Sequence, residues 1–119
     1  MADVMQMPTQ LTQGNGMMTD QLPASDRGLM YGDGLFETMR LQAGKLRHLE
    51  QHLQRLLAGC KQLAIPVSPA SIESQLQSFL SQLQHQTLNN AVIKLIITRG
   101  SGGRGYQPPV DAKPRIILQ

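Results

Sequence analysis

Residues 34–44, GLFETMRLQAG, alternate apolar and polar side chains and end on an Ala-Gly pair. A period of two with Phe, Thr and Leu in it predicts a strand that closes at the Ala43-Gly44 turn. Leu35, Glu37, Met39 and Leu41 share one face of that strand, and Phe36, Thr38 and Arg40 share the other. The period then changes. In LRHLEQHLQRLLAGCKQLAIP, Leu49, Leu53, Leu56, Leu57, Cys60 and Leu63 recur at helical spacing, and Pro66 closes the element. A second helix is predicted after Ser68, an N-cap followed by Pro69 at the first helical position, with Ile72, Leu76, Phe79, Leu80 and Leu83 as its apolar stripe. Beyond Asn89-Asn90 the run AVIKLIITRG is apolar at nearly every position, which predicts a strand buried on both faces. RIILQ at 115–119 predicts a further strand, and QGNG at 13–16 a turn between two short strands. Strands, two helices and strands again make an α+β chain, an α/β sandwich without internal repeat.

Composition narrows this only a little. The 119 residues are 40% hydrophobic, which suits one domain with a modest core. With two Phe, two Tyr and no Trp, that core must be built from Leu, Ile, Val and Met. The formal charge of +3 is spread along the chain without a Lys/Arg block, which speaks against a nucleic-acid arm and favours small anionic ligands. A single cysteine, Cys60, excludes an internal disulfide and fits a reducing compartment. The first 23 residues carry no basic segment followed by an apolar run, and no stretch has membrane-spanning length, so a soluble, cytoplasmic protein is expected.

Four places could carry chemistry. RGSGGRGY at 99–106 is rich in glycine and arginine. A phosphate-cradling loop joins a strand to a helix and ends in Gly-Lys-Ser/Thr, whereas here a strand follows and that ending is missing. RGG-type RNA binding uses long disordered segments, and this one is short and held between two apolar strands. The plainest reading is a surface hairpin loop with solvated arginines, although Arg104 and Tyr106 offer a fork donor and a hydroxyl suited to a carboxylate. On the first helix His48, His52, Arg55 and Gly59 fall within an arc of about 60° beside the leucine stripe, a half-buried polar face. Gly59 there costs about 1 kcal/mol relative to Ala, which close approach of a neighbour or ligand would justify. HLEQH places two histidines at i and i+4, yet its Glu sits one place too late for a zinc helix, so no metal is expected. Asp33, between two glycines, reads as a turn residue, while Glu37 on an otherwise apolar face needs a partner.

SDRGLMYGDGLFETMR, HLEQHLQRL and IITRGSGGRGY, in that order and spacing, resemble the amino-terminal half of fold-type IV pyridoxal-phosphate enzymes. That family includes branched-chain and D-amino-acid aminotransferases and 4-amino-4-deoxychorismate lyases, and the glycine loop is most similar to the lyase branch. The resemblance covers residues 25–119. It implies a mixed, mainly antiparallel sheet with two helices, in which 1–119 is the smaller, amino-terminal domain. It implies that Arg55 binds the phosphate of pyridoxal 5'-phosphate and that Phe36 and Thr38 line the pocket. Arg104 and Tyr106 would bind a substrate carboxylate across the interface of a homodimer, with no part for nucleic acid or membrane. The Schiff-base lysine of such enzymes would lie beyond Gln119, since none of Lys45, Lys61, Lys94 or Lys113 stands in the matching position. The 119 residues would then be inactive by themselves, part of an enzyme of folate biosynthesis. An aminotransferase domain, or a non-catalytic dimerising or anion-binding domain, is the alternative.

Overall fold

The computed structural model describes residues 11–119; residues 1–10, part of the stretch read for a leader, lie outside it. The turn signal at 13–16 is realised as a hairpin, β1 (Gln13–Gly14) and β2 (Met17–Met18), with Asn15 and Gly16 both at positive φ. A five-residue helix, α1 (Arg27–Tyr31), comes next, capped by the Asp26 carboxylate on the Leu29 N–H and closed by Gly32 in the left-handed region. Then come β3 (Gly34–Gln42), β4 (Lys45–Leu46), α2 (Leu49–Gln62), α3 (Pro69–His85), β5 (Ala91–Thr98) and β6 (Arg115–Leu118). Ser68 caps α3, with Pro69 at its start. The sheet runs β2-β1-β6-β5-β3-β4, and every pairing in it is antiparallel. This is the expected α+β domain with one short helix added.

Helices α2 and α3 cover one face only. Met39, Leu41, Ile93, Leu95, Ile97, Ile116 and Leu118 of the sheet pack with Leu56, Cys60, Ile72, Leu76, Phe79 and Leu83 of the helices in one buried cluster. The expectation that β5 is buried on both sides therefore fails. Its even-numbered side chains stand on the opposite face, where Val92 is 69% exposed and Lys94 and Ile96 are half-buried. Runs of β-branched residues record strand propensity as well as burial, and here the second face is apolar but open. Leu63, counted in the helix stripe, is the C-cap of α2 and is exposed.

Candidate functional site

Cross-strand register assembles the open face. Phe36 sits opposite Ile96, which pairs onward with Ile117, while Thr38 lies opposite Lys94 and Arg40 opposite Val92. Phe36 and Thr38 are both exposed, and the Lys94 ammonium stands 4.3 Å from the centre of the Phe36 ring. The result is an apolar stripe with one cation over it.

On the covered side of β3, Glu37 has the partners its burial demands. Arg55 grips the carboxylate with two parallel bonds, Nε to Oε2 at 2.8 Å and Nη2 to Oε1 at 2.6 Å, and His52 Nδ1 lies 2.6 Å from Oε1. The Glu37 pKa is lowered to about 2, chiefly by the Arg55 bonds, with burial opposing them and the His52 contact assisting. Glu37 correspondingly raises the Arg55 pKa. The helix face is less uniform than its spacing implies. His52 and Gly59 are half-buried, whereas His48 is exposed and the Arg55 side chain is 71% in solvent. Gly59 is explained by a neighbour: a methyl at its α-carbon would collide with Leu35 Cδ1.

Arg55 and the pair Phe36/Thr38 thus occupy opposite sides of β3. Between them lies an edge. β4 pairs only with Leu41 and Gln42, so from Gly34 to Met39 the outer edge of β3 has no strand partner among the described residues. A ligand on that edge could touch both sides. Nη1 of Arg55 makes no bond among the described residues, so the guanidinium keeps donors for an anion.

The glycine loop stands elsewhere and is neither loose nor merely solvated. Asp33, expected as a turn residue, is the acid between Arg27 and Arg99, each donating Nε to Oδ2 at 2.8 Å. Burial works to raise the Asp33 pKa, and the hydrogen bonds and charges of Arg99 and Arg27 outweigh it, leaving the carboxyl below its usual range. Arg99 also donates to the carbonyls of Leu63 and Ala64 just past α2. Below this, the buried Asp26 accepts from Thr98 at 2.7 Å and pairs with Arg115. Arg27 and Asp26 carried no site signal beyond turn chemistry, because, Asp33 apart, the side-chain and loop partners that define their roles lie 72 or more residues away. Arg104 and Tyr106 project from the loop, Tyr106 fully exposed, and no described contact brings either to Arg55.

A match to the class IV amino-transferase family spans residues 34–119. The chain belongs to that family. Proteins similar to it include aminotransferases and aminodeoxychorismate lyases, and a hypothetical aminotransferase from Mycobacterium tuberculosis with the same fold (21% identity, TM-score 0.76, over 92% of this chain and 38% of that one) has been solved in a PLP-bound form. The chain is 48% identical to a solved 4-amino-4-deoxychorismate lyase from Pseudomonas aeruginosa, with a TM-score of 0.82 over 92% of this chain and 38% of that one. It is 37% identical to a putative branched-chain-amino-acid aminotransferase of Methanocaldococcus jannaschii and 36% identical to an aminodeoxychorismate lyase of Vibrio harveyi, each over 87% of this chain and 37% of the relative. The chain therefore spans little more than a third of the length of these class IV relatives. Among the described residues, no helix is long and apolar enough to cross a membrane.

Proposed function

We propose that this chain is the amino-terminal domain of a pyridoxal-phosphate-dependent 4-amino-4-deoxychorismate lyase, an enzyme that yields 4-aminobenzoate and pyruvate for folate biosynthesis. The observation that carries the reading is the 48% identity to the Pseudomonas aeruginosa lyase across 92% of the chain. The alternative, an aminotransferase domain, is supported by the 37% identity to the archaeal relative.

In this reading Arg55 holds the cofactor phosphate with the donors that Glu37 leaves it, and Glu37 fixes the plane of the guanidinium. Phe36 and Thr38 line the pocket from the other side of the open strand edge. The cofactor, when bound, supplies the electron sink for bond cleavage next to the substrate amine. Arg104 and Tyr106 take a substrate carboxylate, and they do so in the active site of a second copy. Their exposure, and their distance from any contact with Arg55, support an intermolecular role and hence a homodimer. The lysine that would bind the cofactor covalently belongs to the other domain, so the 119 residues alone should neither fix the cofactor nor release product.

The test uses the full-length enzyme. With no amino acceptor added, release of 4-aminobenzoate and pyruvate in equal amounts is expected; no such release, together with amino transfer when branched-chain 2-oxo acids and an amino donor are supplied, would establish the alternative. Arg55→Ala should weaken cofactor retention at equilibrium dialysis, whereas Arg104→Ala should keep the cofactor and raise KM. The reverse pattern would exchange the two assignments.

A further inference from the structure

One side chain holds the glycine loop from beneath. Arg27 is 3% exposed, and its guanidinium reaches three separate places: Nε to Asp33, Nη1 to the Gly102 carbonyl at 3.1 Å and Nη2 to the Gly105 carbonyl at 2.6 Å. Its Cζ lies 4.7 Å from the Tyr31 ring centre, and its backbone N–H donates to the Gly100 carbonyl. Carbonyls at 100, 102 and 105 therefore converge on a single residue, and Arg104 sits between the last two. The loop closes on itself as well, Arg104 and Gln107 exchanging backbone bonds at 3.0 and 2.8 Å. Gly103 fits only as glycine, since its φ is +68° and a Cβ would strike the Gln107 carbonyl.

Burying a guanidinium is costly unless every donor group is used, and an apolar side chain would fill the same space more cheaply. What the fork adds is geometry. Glycine loses more backbone freedom than any other residue when it is fixed, so a loose loop of this composition would lose that freedom on meeting its ligand. A loop clamped at folding has lost it already.

We propose that Arg27 is a positioning residue for substrate recognition: by clamping the carbonyls on either side of Arg104 it holds Arg104 and Tyr106 ready for the substrate carboxylate. Asp33 acts with it, orienting the guanidinium and tying it to Arg99. The inference rests on the carboxylate role proposed above for the loop.

Arg27→Lys in the full-length holoenzyme tests it. Lysine keeps a cation beside Asp33, but one ammonium cannot serve the carboxylate and both carbonyls. KM for 4-amino-4-deoxychorismate should rise about tenfold or more, with cofactor affinity unchanged, because small misplacements of a binding group are costly. Placed on Arg104→Ala, the same change should raise KM by much less than it does alone, leaving only the part that acts through Tyr106. Asp33→Asn provides a second route if Arg27→Lys fails to fold, and should show the same KM pattern. A lowered Tm with KM unmoved in the variants would make Arg27 a brace of the fold and overturn the proposal. So would a full KM effect that persists in the Arg104→Ala background. If Arg104→Ala itself leaves KM unchanged, the carboxylate role of the loop fails, and with it the positioning role; if Arg104→Ala raises KM while Arg27→Lys and Asp33→Asn are silent, the positioning role alone fails.

Discussion

A carboxylate on the helix-covered side of a sheet has few ways to remain charged, and Glu37 uses the strongest, a two-bond grip by a guanidinium with an imidazole at its flank. Because its folded pKa of about 2 lies below the ordinary value of 4.5, the ionised form binds its partners more tightly than the protonated form does. The stability it contributes is complete above about pH 4.5 and is lost as pH falls towards 2. Urea unfolding at a series of pH values should show wild type losing ground to Glu37→Gln across that window, and parallel curves would refute the ion pair as a stabilising group. That Glu37 needed a partner was legible from one acid on an apolar strand face. Arg55 and His52 were legible as neighbours on one helix arc, but nothing in the spacing joined the strand to the helix. Asp33 was misjudged for a related reason. A residue between two glycines carries strong local turn signals, and these hide an ion pair whose second arginine lies 66 residues further on.

At the scale of elements, the contact between α2 and β3 is set by a missing methyl. Leu35 Cδ1 occupies the space that a side chain at Gly59 would need, so the helix approaches the strand more closely there than alanine would allow. Gly59→Ala gains about 1 kcal/mol of helix propensity and forces a steric clash that typically costs 1–3 kcal/mol, so the sum should be destabilising by roughly 0–2 kcal/mol. In a Leu35→Ala background the clash disappears, and Gly59→Ala should become neutral or stabilising in a denaturant titration. Identical effects in both backgrounds would place the cost elsewhere. The two long helices and β3 were legible because their periods are clean, and α3 also carries the Ser68-Pro69 start signal, whereas α2 begins at His48 with no side-chain cap. The short helix α1 was not. Its five residues include Gly28, and its stability comes from the Asp26 cap and contacts with Thr98 and Gly100 that no local pattern encodes.

For the whole molecule, the decisive asymmetry is a sheet with helices on one face and an open apolar stripe on the other. Two substitutions on β5 should therefore behave differently in thermal unfolding of this chain: Val92→Lys on the open face should change stability by no more than about 0.5 kcal/mol, and Ile97→Ala on the covered face should cost roughly 2–5 kcal/mol. Equal costs would mean that the open face is packed. Lys94 was the one sequence signal for the open face of β5, and it was masked by Val92, Ile93, Ile96 and Ile97, which are alike in polarity on the two faces. The strand order carries one more consequence, for time rather than for shape. The last strand, β6, lies in the interior of the sheet between β1 and β5, so the first hairpin has nothing to join until residues 115–118 arrive. Asp26 likewise waits for Arg115, 89 residues downstream. On a ribosome the helices and the β3–β5 pair can form early, but the first hairpin must wait until Arg115–Leu118 emerge, and loop closure over that span is slow. Release of the nascent chain just before Arg115 should leave the amides of Gln13–Met18 exchanging freely while those of β3 and β5 are protected.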